Sequence, residues 1–128
     1  MSAGRAIRTE NAPPAIGPYS QGVAAGDLVF TSGQIPMTPS GELATASIGE
    51  ATRQSLANVL AVLEAGGAGP QDVVKVTVYL KDMGSFAAVN EIYGQVFSEP
   101  YPARSCVEVA RLPKDVPIEI EAVARIRG

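Results

Sequence analysis

The feature that most constrains the fold is a run of alternating apolar and polar side chains, VVKVTVYL at positions 73–80. Successive side chains of a β-strand point to opposite faces of a sheet, so this run predicts a strand with one apolar face. The apolar face would carry Val74, Val76, Val78 and Leu80, and the other face Lys75, Thr77 and Tyr79. We therefore expect a sheet that is covered on one side.

Two helices are predicted to provide that cover. The first begins with a capping-box pattern, Ser47 followed by Glu50, and ends at Gly66 and Gly67. Its apolar residues recur with the spacing of one helical face: Leu56, Val59, Leu60 and Leu63. The second helix is expected to start near Ser85 and to end by Pro100. Its inward-facing residues would be Phe86, Val89, Ile92 or Tyr93, and Val96 or Phe97.

The remaining strands come from both ends of the chain. Residues 22–33 predict a hairpin that turns at Gly26 and Asp27, and residues 104–111 and 118–126 predict two further strands. The predicted order is β-β-α-β-α-β-β in a single domain over residues 1–128. This is an α+β class: a mixed sheet with two helices packed on one face.

The two faces of this sheet would differ in polarity. We expect the helices to cover Val74, Val76, Val107, Val109, Ile118 and Ile120. We expect the opposite face to carry Lys75, Thr77, Tyr79, Arg104, Cys106, Glu108, Glu119 and Glu121. Small domains with a sheet covered on one side often associate through the other side, and closed symmetric oligomers are their usual form.

Composition excludes several kinds of chemistry. The sequence has no histidine, so it lacks the commonest general base, and its single cysteine is too few for a structural zinc site. No phosphate-binding loop motif is present, and no metal or organic cofactor is expected. The net charge of −3 disfavours nucleic acid as a partner. Without a long apolar run or a second cysteine, the chain is expected to be cytoplasmic and not bound to a membrane.

Arg104 and Cys106 are candidates for a functional site. They are two positions apart in a predicted strand, so their side chains share a face, with Glu108 next in the same row. Arg104 has two possible interpretations: a surface ion pair with Glu108 or Glu119, or a clamp for the carboxylate of a ligand. Cys106 is more typical of a small buried apolar residue than of a nucleophile, and its backbone amide is the better candidate for a ligand contact.

Four other residues are also candidates. Enclosure of the polar face would raise the pKa of Glu119 and make it a base or a water-holding group, whereas an open face would leave it an ordinary solvated carboxylate. Tyr19 is either a turn aromatic packed on the sheet or part of the site. Ser32 and Gly33 end a predicted strand, where a hydroxyl and an accessible backbone can meet a ligand.

Together, these segments resemble the RidA/YjgF family. The matching stretches are IGPYSQG at 16–22, TSGQIP at 31–36, QSLANV at 54–59, VNEIY at 89–93 and PARSCVEVARLPKDVPIEIEAVA at 102–124. The resemblance extends from about Thr9 to Ile126 and is greatest to the RidA subfamily of 2-iminobutanoate/2-iminopropanoate deaminases. It implies a chorismate-mutase-like subunit and a homotrimer whose sheets form a barrel, with clefts between neighbouring subunits. The connection 98–105 is short beside many relatives, which leaves the shape of one pocket edge open.

The resemblance also implies roles for particular residues. Arg104 matches the arginine that binds the substrate carboxylate, and Glu119 matches an acidic residue associated with a bound water. Other pocket positions match Tyr19, Ser32, Gly33, Asn90 and Cys106.

The implied activity is hydrolysis of reactive 2-imino acids to 2-oxo acids and ammonia. The imines arise from enamines that pyridoxal-phosphate-dependent dehydratases release. Arg104 would clamp the substrate carboxylate, backbone amides near Cys106 and Gly33 would orient it, and Glu119 would activate water. Tyr19 or Ser32 would assist proton transfer, and no cofactor is needed. Two alternatives stay open: an endoribonuclease or translation inhibitor, and a non-catalytic small-carboxylate-binding or holdase-like protein.

Overall fold

The structure, a computed structural model that describes residues 4–127, contains a mixed sheet with two α-helices on one face. Its strands are β1 (Arg5–Ile7), β2 (Gly22–Ala25), β3 (Leu28–Thr31), β4 (Val73–Leu80), β5 (Ala103–Glu108) and β6 (Ile118–Arg125). Its helices are α1 (Ile48–Ala65) and α2 (Phe86–Val96), and short 3-10 helices lie at Pro70–Asp72, Met83–Ser85 and Pro113–Asp115. The strand order is β1-β2-β3-β6-β4-β5, with β4 and β5 parallel and the other neighbours antiparallel. The predicted α+β class is confirmed.

Strand β1 was not predicted. It has only three residues and pairs at the edge of the sheet with β2, and only Ile7 in it is buried. A segment this short shows no alternation, so the tertiary pairing with β2 defines it rather than its own sequence.

The predicted start of α1 is confirmed in detail. The Ser47 hydroxyl accepts a hydrogen bond from the Glu50 backbone N–H at 3.1 Å, which satisfies one of the free donors of the first turn. The helix ends at Ala65, and Gly67 adopts a positive φ of 96° that other residues rarely tolerate. No helix within residues 4–127 is long and apolar enough to cross a membrane.

The core lies between the helices and one face of the sheet. Fully buried strand residues on that face are Val29, Val76, Val78, Leu80, Ile118 and Ile120. The helices cover them with Leu56, Val59, Val62, Leu63, Val89, Ile92 and Tyr93. Covering the central strands from one side confirms the predicted two-layer arrangement.

The position of Val74 was predicted wrongly. The pairing of β4 with β6 shifts by one residue between Val73 and Lys75, so Val73 is buried and Val74 is 48% exposed. A bulge of this kind places two consecutive residues opposite one on the partner strand and breaks the alternation of faces.

The faces of β5 were also predicted wrongly. In the parallel pairing, Arg104 lies beside Val76 and Cys106 beside Val78, so both side chains point to the helix side. Val107 instead pairs with Tyr79, whose partner on β6 is Glu119, and these three residues share the open face. Alternation defines two faces of a strand, but the pairing with β4 decides which of them meets the helices.

Candidate active site

The Arg104 side chain is held by three residues of α2. Its Nη1 donates a hydrogen bond to the Asn90 side-chain oxygen at 2.7 Å. Its guanidinium carbon lies 4.7 Å from the centroid of the Tyr93 ring and 5.4 Å from that of Phe86. Cation–π contacts of this kind fix the plane of the guanidinium and stabilise its charge. Arg104 is therefore positioned before any ligand arrives.

Helical spacing brings these three residues together. Phe86, Asn90 and Tyr93 are separated by four and three positions, so they form one stripe on the face of α2 that meets the edge of the sheet. The sequence assigned Phe86 to the core, but Phe86 is 37% exposed and its ring contacts Arg104 instead. An aromatic–Asn–aromatic stripe opposite a strand arginine is the sequence signal that could have identified this arrangement.

The surface ion pair considered for Arg104 does not form. The Glu108 carboxylate accepts the Met83 backbone N–H at 2.7 Å, and Glu119 lies on the other face of the sheet. The salt bridges within residues 4–127 join Lys81 to Asp115, Arg125 to Asp27 and Arg127 to Asp72. The guanidinium of Arg104 thus keeps its charge without a carboxylate partner in the described part of the chain, and most of its donors are free for a ligand.

An open cavity of about 450 Å³ lies in front of Arg104. Its walls are Asn90, Tyr93, Gly94, Tyr101, Pro102 and Arg104. Tyr101 and Pro102 come from the short connection that precedes β5, so this connection forms the outer wall of the cavity. A cavity of this size is within the range of small-molecule sites, about 300–1,000 Å³.

Cys106 lies two residues after Arg104 on the same face of β5, and it is half-buried against the core. Burial raises the pKa of the Cys106 thiol, and the positive charge of Arg104 opposes that rise only in part. The thiol is therefore neutral at physiological pH, which makes it a poor nucleophile.

A second group of residues lies on the open face of the sheet. Gly33 follows β3, and its neighbour Gln34 exchanges backbone hydrogen bonds with Ile120 at 2.7 and 3.1 Å. This pairing places Gly33 directly against the side chain of Glu119: a Cβ added to Gly33 would lie 2.7 Å from Cδ and 3.1 Å from Cγ of Glu119. The absence of a side chain at Gly33 therefore leaves the space that the Glu119 carboxylate occupies.

The Glu119 carboxyl has an altered proton affinity. Burial raises its pKa above the usual value, and the negative charge of nearby Glu121 raises it further. A carboxylate with a raised pKa is a better proton acceptor near neutral pH than a solvated one. Burial also raises the pKa of the Tyr79 hydroxyl, and the negative charges of Glu121 and Glu119 raise it further.

Ser32, which precedes Gly33, is bonded to the loop that precedes β2 and contains Tyr19. The Ser32 hydroxyl donates a hydrogen bond of 2.6 Å to the Ser20 carbonyl, and the Ser32 N–H donates to the Gln21 carbonyl at 2.8 Å. Ser32 thus fixes the segment that carries Tyr19, whose side chain is 51% exposed.

Gln21 is a positioning residue that the sequence did not identify. Its buried amide donates to the carbonyls of Thr9, Ala12 and Pro13, and its oxygen accepts from the Thr9 N–H at 2.7 Å. A single side chain therefore closes the loop that leads to Tyr19. A glutamine between Ser20 and Gly22 carries no periodic signal, so only the fold reveals this role.

The predicted site residues therefore form two separate groups in one protomer. Arg104, Asn90 and Cys106 lie on the helix side at the β5 edge. The group on the open face comprises Ser32, Gly33 and Glu119, whereas Tyr19 lies apart from them, in the wall of a cavity of about 640 Å³ lined mainly by residues between 6 and 21. The sheet separates Arg104 from Glu119, so the prediction that both share a face is wrong. Within residues 4–127, no three or more Asp, Glu, Cys or His side chains are grouped to hold a metal ion.

Comparison with known protein sequences gives matches along nearly the whole chain. The family model described as Endoribonuclease L-PSP matches residues 9–126. The 2-iminobutanoate/2-iminopropanoate deaminase of Escherichia coli K12 is 55% identical over 123 residues, which are 94% of this chain and 96% of that protein. The RutC family protein PH0854 of Pyrococcus horikoshii is 58% identical over 119 residues, covering 92% of this chain and 94% of that protein.

Solved structures show the same fold. The crystal structure of the YjgF gene product of E. coli aligns with a TM-score of 0.91 and 55% identity, covering 96% of this chain and 99% of that one. The structure of E. coli TdcF with bound serine aligns with a TM-score of 0.90 and 52% identity, covering 97% and 99%. The match over residues 9–126 and relatives of more than half identity show that this protein belongs to the RidA/YjgF family.

Proposed function

We propose that this protein is a hydrolase that converts 2-imino acids, such as 2-iminobutanoate and 2-iminopropanoate, to 2-oxo acids and ammonia. The observation that carries the proposal is the Arg104 guanidinium, which α2 holds in place and no carboxylate of the described chain neutralises. The E. coli relative named for this activity supports it at 55% identity. The serine bound to E. coli TdcF is an amino acid with the same carboxylate, which supports this substrate class.

Arg104 would bind the substrate through its carboxylate. The Asn90 side-chain oxygen accepts one hydrogen bond from Nη1 of Arg104. The remaining N–H donors of the planar guanidinium are therefore available for the two oxygens of a carboxylate. A lysine offers one compact charge instead of a fork and could not hold the carboxylate plane in the same way. Binding would place C2 of the imine at a fixed distance from the guanidinium.

A complete site would form between protomers. One chain holds Arg104 and Glu119 on opposite faces of its sheet, so a substrate on Arg104 needs the open face of a neighbour to supply a carboxylate. An arrangement in which the β5 edge of each protomer meets the open face of the next is heterologous, and a rotation of 120° between neighbours would close it into a ring of about three subunits. We propose a homotrimer of this kind, in which Tyr19, Gly33 and Glu119 of one subunit face Arg104 of the next.

The chemistry would require only positioning and proton transfer. The Glu119 carboxylate would take a proton from a water molecule as the water oxygen bonds to C2 of the protonated imine, giving a neutral carbinolamine. Return of that proton to the nitrogen would make it a leaving group. Ammonia would then depart as the C2–N bond breaks, and Glu119 would accept the hydroxyl proton as the C2=O bond forms. A pKa raised by burial would suit Glu119 to both steps, and the backbone N–H of Gly33 would orient the substrate.

The other assignments receive less support. The family model carries an endoribonuclease description, but the net charge of −3 and the absence of histidine disfavour RNA binding and cleavage. A non-catalytic carboxylate-binding protein would need Arg104 and not Glu119. We place the reaction in the cytoplasm, because a single unpaired cysteine is typical of reducing compartments.

A coupled assay tests the proposal. A threonine or serine dehydratase generates the enamine and imine in place, and the added protein should accelerate formation of the 2-oxo acid. We expect Arg104→Ala to lower kcat/KM by about 100-fold, since two hydrogen bonds to a charged group contribute about 3 kcal/mol. Arg104→Lys should recover little of this loss, and Arg53→Ala, an exposed arginine on α1, serves as the matched control.

Two outcomes would refute parts of the assignment. Full activity in a folded Arg104→Ala protein would exclude the clamp. A Glu119→Gln protein that still binds a 2-oxo acid but no longer hydrolyses the imine supports catalysis. If Glu119→Gln retains hydrolysis, the role of that carboxylate is wrong.

A further inference from the structure

Glu121 is a second acid on the open face, two residues after Glu119 on β6. Side chains two positions apart in a strand share a face, and their Cα atoms are about 7 Å apart. This separation is shorter than the Debye length of about 8 Å at physiological ionic strength, so dissolved salt leaves much of the repulsion between the two carboxylates in place. Both side chains are partly buried, which weakens the screening further.

Tyr79 faces both acids from the neighbouring strand. It is the residue of β4 opposite Glu119, and the next residue on the same face, Thr77, is opposite Glu121. The Tyr79 hydroxyl hydrogen-bonds to Glu121, whereas Glu119 acts on it through charge alone. Tyr79 therefore orients the Glu121 carboxylate and leaves the Glu119 carboxylate available for a water molecule.

No cation within residues 4–127 neutralises this pair of acids. Lys75 lies on the open face of β4, but its ammonium group donates a hydrogen bond to the Ser105 hydroxyl at 3.0 Å. Arg125, at the end of β6, pairs with Asp27 at 3.3 Å. On the same face, β3, β5 and the segment 32–35 carry no ionisable side chain. Glu121 is therefore the charged group that acts on Glu119 from within its own chain.

The charge of Glu121 has a consequence for proton transfer. Burial raises the pKa of Glu119, and the negative charge of Glu121 raises it further. In the proposed hydrolysis, Glu119 accepts one proton from water and a second from the carbinolamine hydroxyl. A carboxylate with a greater proton affinity removes both protons more effectively at neutral pH.

We propose that Glu121 is a positioning residue of the reaction, which does not contact the substrate and whose negative charge makes the Glu119 carboxylate a stronger proton acceptor. Tyr79 keeps the Glu121 carboxylate in place for this role. The inference rests on the proposed imine hydrolysis and adds to it the group that sets the strength of its base.

The direct test is the titration of Glu119 by NMR. Full-length protein labelled with ¹³C-glutamate shows each carboxyl carbon, and the Glu119 signal is the one that Glu119→Gln lacks. The proteins are the wild type, Glu121→Gln, Glu121→Asp and the control Glu64→Gln, an exposed glutamate on α1. We expect the midpoint of the Glu119 titration to move to lower pH in Glu121→Gln, and to stay close to the wild-type value in Glu121→Asp and Glu64→Gln.

Salt provides a second test that needs no variant. Raising the ionic strength from about 0.01 M to about 1 M shortens the Debye length from about 30 Å to about 3 Å. The Glu119 midpoint of the wild type should therefore move to lower pH at high salt. An unchanged midpoint would contradict the inference even if Glu121→Gln did not fold.

Activity is measured in the dehydratase-coupled assay at pH 8. Glu121→Gln should lower kcat/KM by about threefold to tenfold, a small part of the roughly 100- to 10,000-fold that a positioned base contributes. Glu121→Asp keeps the negative charge and should restore most of this loss. Light scattering after gel filtration should give the same oligomeric state for all four proteins.

The possible failures have different meanings. If the Glu119 midpoint stays the same or rises in Glu121→Gln, Glu121 does not act on Glu119 and the inference is wrong. If the midpoint falls but kcat/KM stays within about twofold of wild type, the coupling does not serve the reaction, and the inference is wrong while imine hydrolysis stands. If the wild type does not accelerate 2-oxo acid formation, the proposed function is wrong, and the inference fails with it although the titration still shows the coupling.

Discussion

Replacing Gly33 by alanine should disable the Glu119 carboxylate while leaving the fold intact. The backbone of Gly33 is not in the left-handed region, so alanine fits its conformation. The added methyl group would instead collide with Glu119, whose Cδ would lie 2.7 Å and Cγ 3.1 Å away. Carbon atoms in contact are about 3.5–4.0 Å apart, so the carboxyl group must move by about 1 Å.

The expected loss follows from that displacement. Moving a catalytic group by about 1 Å lowers a rate by about 100-fold, which corresponds to about 2.7 kcal/mol of transition-state stabilisation. The stability cost is smaller, because the obstructing atoms belong to the end of a flexible side chain. A strained rotamer costs about 0.5–1.5 kcal/mol, and replacing glycine by alanine returns about 0.4–1 kcal/mol. The free energy of unfolding should therefore change by less than about 1 kcal/mol.

A double-mutant cycle in the dehydratase-coupled assay checks this reasoning. The cycle combines Gly33→Ala with Glu119→Ala, and Gly49→Ala is the control for glycine replacement elsewhere. When Glu119 has already lost its carboxylate, the methyl group at position 33 has nothing to displace and should lower kcat/KM little further. The reasoning is refuted if Gly33→Ala alone keeps activity within about threefold of wild type, or if its effect is equally large without Glu119.

Two further predictions concern Tyr93 and Glu119. Tyr93→Leu removes the ring under the Arg104 guanidinium and should lower kcat/KM by about tenfold, mainly through KM. Tyr93→Phe keeps the ring and should therefore retain most of the activity that Tyr93→Leu loses. Equal losses of kcat/KM in both variants would exclude the stacking role. Burial raises the pKa of Glu119 above its usual 4.5, so the folded state binds this proton more tightly than the unfolded state does. The free energy of unfolding of the wild type should thus fall as pH rises from 4.5 towards the raised value, and Glu119→Gln should lack this loss in urea titrations from about pH 4 to pH 8. An unchanged pH dependence in Glu119→Gln would show that Glu119 is not the group responsible.

Local interactions explain why much of the fold could be predicted. The start of α1 depends on one hydrogen bond between Ser47 and Glu50, three residues apart, so the sequence is sufficient to indicate it. The bounds of β4 follow from its own alternation, and the hairpin of β2 and β3 turns at Gly26, whose φ of 60° favours glycine. Each of these features is decided within a few neighbouring residues.

The arrangement of the site depends on interactions that no local pattern contains. Alternation placed Arg104 and Cys106 on one face correctly, but the parallel register with β4 assigns that face to the helix side. The bulge that exposes Val74 is likewise a property of the pairing with β6. For the same reason the roles of Phe86 and Gln21 escaped prediction, since each acts on a residue distant in the sequence. The family resemblance predicts which residues matter, and the structure shows which of them lie together in one protomer.

Several residues around Arg104 and around Glu119 are not the ones that would stabilise the fold most. Arg104 has no carboxylate partner within residues 4–127, the Glu119 carboxyl is half-buried beside another acid, and the Tyr93 hydroxyl is buried without a hydrogen-bond partner there. Gly33 leaves room for the Glu119 carboxylate rather than for packing. Natural sequences usually agree with their fold at every level except at functional sites. These departures lie on both faces of the sheet, and this distribution supports the proposal that neighbouring protomers share each site.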